Sequence, residues 1–126
     1  MITKQEYESY VAILEEELVP AMGCTEPIAL SYAGALAQKF LKEPAVRAIA
    51  HCSGNIIKNV KCVRVPNTGG LVGIEAAVVS GIVAGDPSLK LEVISKLNDE
   101  DRINIKKALN HNLCEVKFLE SAIPLH

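Results

Sequence analysis

Residues 71–84 constrain this chain more than any other stretch, because they are apolar almost all round and rich in alanine and glycine. A helix of that character has no face to give to water, so it belongs inside a core, packed close to its neighbours. Gly73, Glu75, Ser80 and Gly81 break the run, and it falls short of the ~20 apolar residues that cross a bilayer. It is therefore read as a core helix and not as a membrane span. With 126 residues, 49% of them hydrophobic, one domain over residues 1–126 can enclose it. A chain of this size buries roughly two-thirds of the surface it exposes when unfolded, without help from a metal or disulfide.

The flanking segments supply the enclosure. Residues 4–19 set Tyr7, Val11, Leu14 and Leu18 at helical spacing among Glu8, Glu15 and Glu16, and Pro20 closes the run, which predicts an amphipathic helix. A second helix is expected to begin at Pro27 with Glu26 as its cap, since a residue before proline avoids the α region. Ile28, Tyr32, Ala35 and Phe40 line one of its faces before Pro44. Residues 46–53 read as a strand, and a second short strand is expected at 62–65. The stretch between them, 54–61, fits a helical turn or a hairpin connection equally.

Beyond the apolar segment, Asp86-Pro87 opens a helix running through Leu97, and Asn98 caps a polar helix begun by Asp99, Glu100 and Asp101. Cys114, Val116 and Phe118 alternate with Glu115 and Lys117 as a closing strand. Together these elements predict an α+β fold, a small mixed or antiparallel sheet of about three strands covered by helices.

Charge narrows the function classes. The 13 Lys and Arg residues against 15 Asp and Glu leave a formal net charge of −2, with no basic patch of the kind phosphate neutralisation requires. Nucleic acid and membrane are thus not expected as partners. The first residues carry no signal-peptide pattern, which makes the reducing cytoplasm the expected compartment. Cys24, Cys52, Cys62 and Cys114 are unevenly spaced with no CxxC pair, so they form neither a zinc ribbon nor a disulfide framework.

Three segments have chemical potential. Cys24 lies between Gly23 and Thr25 just before a helix start, where free backbone N–H groups favour a thiolate and where a metal ligand or nucleophile would be set; the alternative is a small buried hydrophobe. Ser53-Gly54-Asn55-Ile56-Ile57-Lys58-Asn59 offers a hydroxyl, two amides and an ammonium to a small carboxylated ligand, or is a solvated loop. A Schiff-base role for Lys58, and with it pyridoxal phosphate, is not expected, because nothing in its neighbours lowers its basicity. Pro66-Asn67-Thr68-Gly69-Gly70 leads into the apolar helix and suits an anion site or an ordinary turn and cap.

In this order and spacing, the run from Glu16 through Met22-Gly23-Cys24-Thr25-Glu26-Pro27 to Leu30, the Ser53 to Asn59 segment, and Val65-Pro66-Asn67-Thr68-Gly69 resemble the L-cysteine desulfidase family, iron–sulfur lyases often grouped as serine-dehydratase-alpha-like proteins. The resemblance implies β-elimination of L-cysteine to sulfide, ammonia and pyruvate, with L-serine dehydration as the close alternative. It implies an oxygen-sensitive [4Fe–4S] cluster in place of pyridoxal phosphate, with Cys24 as a metal ligand. It also makes Ser53, Asn55, Lys58, Asn59, Asn67 and Thr68 the residues that orient the carboxylate and amine of a small L-amino acid substrate. Catalytic residues beyond these are not identified. Family members are several-fold longer and carry further cluster cysteines in a later part, so the cluster is not expected to be held by this chain alone. On that reading residues 1–126 are an N-terminal domain, a fragment or half of a split pair, inactive until a C-terminal part or partner chain completes it, with a homo-oligomer also open. The rivals are a non-catalytic module that binds a small anion and a structural domain that pairs with a partner.

Overall fold

The apolar segment forms a helix wrapped by two other helices and the sheet, while the first helix stands apart. A computed structural model describes all 126 residues. In chain order the elements are α1 (Lys4–Glu17), α2 (Thr25–Phe40), β1 (Ala48–Cys52), α3 (Gly54–Val60), α4 (Ile74–Ala84), a 3₁₀ segment (Pro87–Glu92), α5 (Asp99–Asn110) and β2 (Cys114–Phe118). The fold is α+β, with a sheet of two strands.

Small residues let α2 and α4 approach until their backbones nearly touch. A methyl group at Gly81 would overlap the carbonyl oxygen of Ser31, and one at Gly34 would stand 2.5 Å from the carbonyl oxygen of Val78. Ser31, fully buried, shares its hydroxyl proton between the carbonyl oxygens of Ala77 at 2.8 Å and Pro27 at 3.2 Å. The polar group that this close approach buries is thereby satisfied. Ile28, Val60, Val79, Val93, Ile94 and Ile105, drawn from α2, α3, α4, α5 and the stretch before α5, complete the core.

Several expectations change. The sheet has two strands, not about three, and they run parallel, with Ala48 opposite Cys114 and Cys52 opposite Phe118. The connection between them holds α3, α4 and α5, a crossover long enough to bring its strand back in the same direction as the first. At 62–65 only a single antiparallel bridge forms, Arg64 with Val72, because Asn67, Gly69 and Gly70 in left-handed backbone turn the chain back at once. Cys24, and not Glu26, caps α2, and Pro27 is its third residue. None of the first four N–H groups of a helix has an intrahelical partner, so proline there forfeits no bond.

The stretch 54–61, open on pattern alone, is mostly the short helix α3. The expected helix from Asp86 to Leu97 is only the 3₁₀ segment Pro87–Glu92, kinked at Lys90, whose φ is 50°. Asn98 caps α5 as expected: its side-chain oxygen accepts from the Asp101 N–H at 2.9 Å, and Asp101 accepts from the Asn98 N–H at 3.0 Å. Phe40, expected on one face of α2 with Ile28, Tyr32 and Ala35, is exposed where Ile28 and Ala35 are buried. α1 forms with a capping box between Thr3 and Glu6 but has no buried residue. No helix is long and apolar enough to cross a membrane.

Candidate functional site

The N-terminus of α2 gathers the sequence segments. Gly23 takes a φ of 140°, open to glycine and rarely to other residues, and a Cβ there would lie 3.6 Å from the Pro66 ring, so the Gly23-Cys24 turn rests against the third segment. Cys24 follows as the exposed cap residue of α2, its Sγ 3.9 Å from Oε2 of Glu26. The other oxygen of that carboxylate, Oε1, accepts a hydrogen bond of 2.7 Å from Nδ2 of Asn59. Asn59 is carried on α3, which is anchored by buried Ile56 and Val60. Glu26 is thus the link between the first two segments. The reading that took it for a cap missed this role; its position two residues after Cys24 was the only signal.

The other candidates divide into exposed and committed groups. Asn55 and Lys58 are exposed on α3. Ser53 is buried, its hydroxyl donating to the Pro124 carbonyl at 2.6 Å and accepting from the His126 N–H at 3.3 Å. Asn67 donates from Nδ2 to the carbonyls of Ile94 at 2.9 Å and Ser95 at 3.0 Å, and both its oxygens accept from Arg102. Thr68, fully buried, donates to the Val65 carbonyl at 2.8 Å and accepts from the Leu71 N–H at 3.2 Å. These side chains fasten the 66–70 turn to the body. Arg102, the second residue that sequence reading passed over, is its main fastener.

The remaining cysteines are of two kinds. Cys62 is exposed. Cys52 and Cys114 lie in the inner face of the sheet, where burial first and the charge of Glu75 second push their thiols up, that of Cys114 to about 11. Thiols held neutral in this way are poor ligands and poor nucleophiles. No group of three or more His, Cys, Asp or Glu side chains is gathered anywhere in the chain. A [4Fe–4S] cluster takes cysteine thiolates on most or all of its irons. One exposed thiol beside one carboxylate does not fit that need, so these residues do not hold such a cluster by themselves.

The arrangement is a thiol–carboxylate–amide corner at a helix start in an α+β fold. No family model matches the chain, and no solved structure does. It is similar to proteins named UPF0597: 46% identical over 120 residues to one from Lachnoclostridium phytofermentans, covering 95% of this chain and 29% of the relative. It is 49% identical over 113 residues to one from Finegoldia magna, covering 90% and 27%, and 49% identical over 117 residues to one from Desulfitobacterium hafniense, covering 93% and 27%. The expected resemblance to the L-cysteine desulfidase family is corrected by this finding, since the relatives at this identity carry the UPF0597 name. The motifs that prompted it include the residues of the 66–70 turn, which have structural work to do here. The chain spans less than a third of the length of the relatives it matches.

Proposed function

We propose that this region is the thiol-bearing part of a lyase that eliminates the β substituent of a small L-amino acid, L-cysteine first and L-serine as the alternative. The observation behind the proposal is the corner of Cys24, Glu26 and Asn59. It joins an exposed sulfur, an adjacent carboxylate and an amide that fixes that carboxylate. β-Elimination asks a site for a hold on the substrate, a base for the Cα proton and a stabiliser for the departing group. Glu26, oriented by Asn59, suits the substrate ammonium. Lys58 and Asn55, exposed on the same short helix, suit its carboxylate. Loss of the Cα proton and of sulfide or hydroxide leaves aminoacrylate, which water converts to pyruvate and ammonia.

Cys24 enters this reading as one thiolate donor to a [4Fe–4S] cluster whose other ligands come from further polypeptide or a partner chain, in the reducing cytoplasm. Ser53, Asn67 and Thr68 serve the site by keeping its walls in register. The test is anaerobic reconstitution of a longer polypeptide carrying this region, with iron, sulfide and pyruvate measured. Cys24→Ser should lose bound iron and turnover together. Iron content and pyruvate formation unchanged by Cys24→Ser would sink the proposal. A non-catalytic pairing domain is the second reading, favoured by α1, which has no buried residue.

A further inference from the structure

α1 has no buried residue, yet its sequence is built to pack. Tyr7, Val11, Leu14 and Leu18 recur at four, three and four residues, the spacing of a seam that lies along another surface. Tyr7, Leu14 and Leu18 are each more than half exposed. The charge around the seam is one-sided: Glu6, Glu8, Glu15, Glu16 and Glu17 stand against Lys4, which already pairs with Glu8 at 3.7 Å. Three of those glutamates crowd the C-terminal turn, where the helix dipole favours cations and the helix supplies none. Two α1 helices paired together would bring five glutamates from each side together with one lysine from each to offset them, a like-charge arrangement. The surface that fits α1 is therefore apolar with a cationic rim.

The chain carries such a surface elsewhere. An open groove of about 570 Å³ lies where the C-terminal halves of α2, α4 and α5 meet, floored by Val46, Ile82, Val83 and Ala108. Val46 is 92% exposed, an apolar side chain that nothing else in the chain covers. Through Pro44, Ala45 and Val46 the groove runs on into a second depression of about 510 Å³. Lys42, Arg47 and Lys107 stand on the combined rim, with His111 beside them and Glu43 as its one acid. Arg47 spends part of its charge on Glu115 at 3.3 Å, which leaves Lys42 and Lys107 as the free cations.

We propose that α1 of one copy of this chain docks in this groove on a second copy, its apolar seam on the floor and its C-terminal glutamates against Lys42 and Lys107. The exchange is reciprocal about a two-fold axis, each copy giving a helix and receiving one. A helix of 14 residues is about 21 Å long, and the residues 18–24 that tether it reach up to ~23 Å, enough to cross between neighbouring bodies. This inference is independent of the lyase reading, since neither α1 nor the groove includes a residue of the Cys24 corner.

The test is the mass of the full 126-residue chain by light scattering and sedimentation over a wide concentration range. The expected species is twice the 13.6 kDa chain mass. Leu14→Glu and Lys107→Glu should each weaken association at least tenfold while leaving the thermal melt of the body in place. A charge exchange sharpens the assignment. A chain with Glu15→Lys, Glu16→Lys and Glu17→Lys and a chain with Lys42→Glu and Lys107→Glu should each fail to self-associate, yet form a one-to-one dimer when mixed. The proposal is overturned by a chain that stays monomeric throughout the range, whether its α1 amides exchange freely or are protected by folding back on its own body. It is equally overturned by a dimer that Leu14→Glu weakens and Lys107→Glu does not, which would point to another surface.

Discussion

α1 and the α2–α4 pair are all helices read from apolar periodicity, and they end in opposite situations. α2 and α4 are lined with Gly34, Ser31, Ala35, Ala77 and Gly81, and they close until main-chain atoms meet. α1 carries Tyr7, Leu14 and Leu18 on its seam and touches almost nothing. Large apolar side chains mark a helix that wants a partner, but small ones, placed so that glycine faces carbonyl, mark a helix that already has one. What commits a helix to the body is thus the fit of its smallest residues more than the greasiness of its stripe.

The sharpest way to break this contrast is Gly81→Ala. The added methyl meets backbone oxygen, which cannot swing aside, so the two helices must part and folding free energy should fall by about 3 kcal/mol, read from a urea denaturation curve. A loss under half that size would show that the pair is looser in solution than described. Ser31→Ala comes next. It removes the hydroxyl bond that ties α2 to the Ala77 carbonyl and should cost about 1 kcal/mol by the same measurement. Leu14→Ala is the smallest. Measured in solution dilute enough to separate copies, it should change stability by no more than about 0.5 kcal/mol, as befits a surface position. A cost near that of a core leucine would mean that α1 lies on its own body after all.

Legibility from sequence followed range. α1, the body of α2, the apolar α4 and the Asn98 cap of α5 depend on neighbours within one or two turns, and each was readable. The start of α2 was set late because proline was given more weight than its place among unpaired N–H groups allows. The parallel pairing of β1 with β2 was not readable, since the partners are separated by most of the fold and nothing local distinguishes one direction from the other. The 3₁₀ segment failed to become a helix because the chain must turn at Lys90 to bury Val93 and Ile94, a tertiary demand. At the candidate site Cys24 was legible before a helix start, and Asn59 as part of the polar 53–59 segment. The carboxylate of Glu26 between them was not, because the bond that joins it to Asn59 spans 33 positions.

The parallel strand pair also bears on the order of assembly. Ala48 meets Cys114 only after three helices have been laid down between them, so the closure entropy of the whole crossover must be met before the first ladder bond forms. The helices can nucleate early and in any order, whereas the sheet is the last element to form and the first to be lost when the chain opens from its ends.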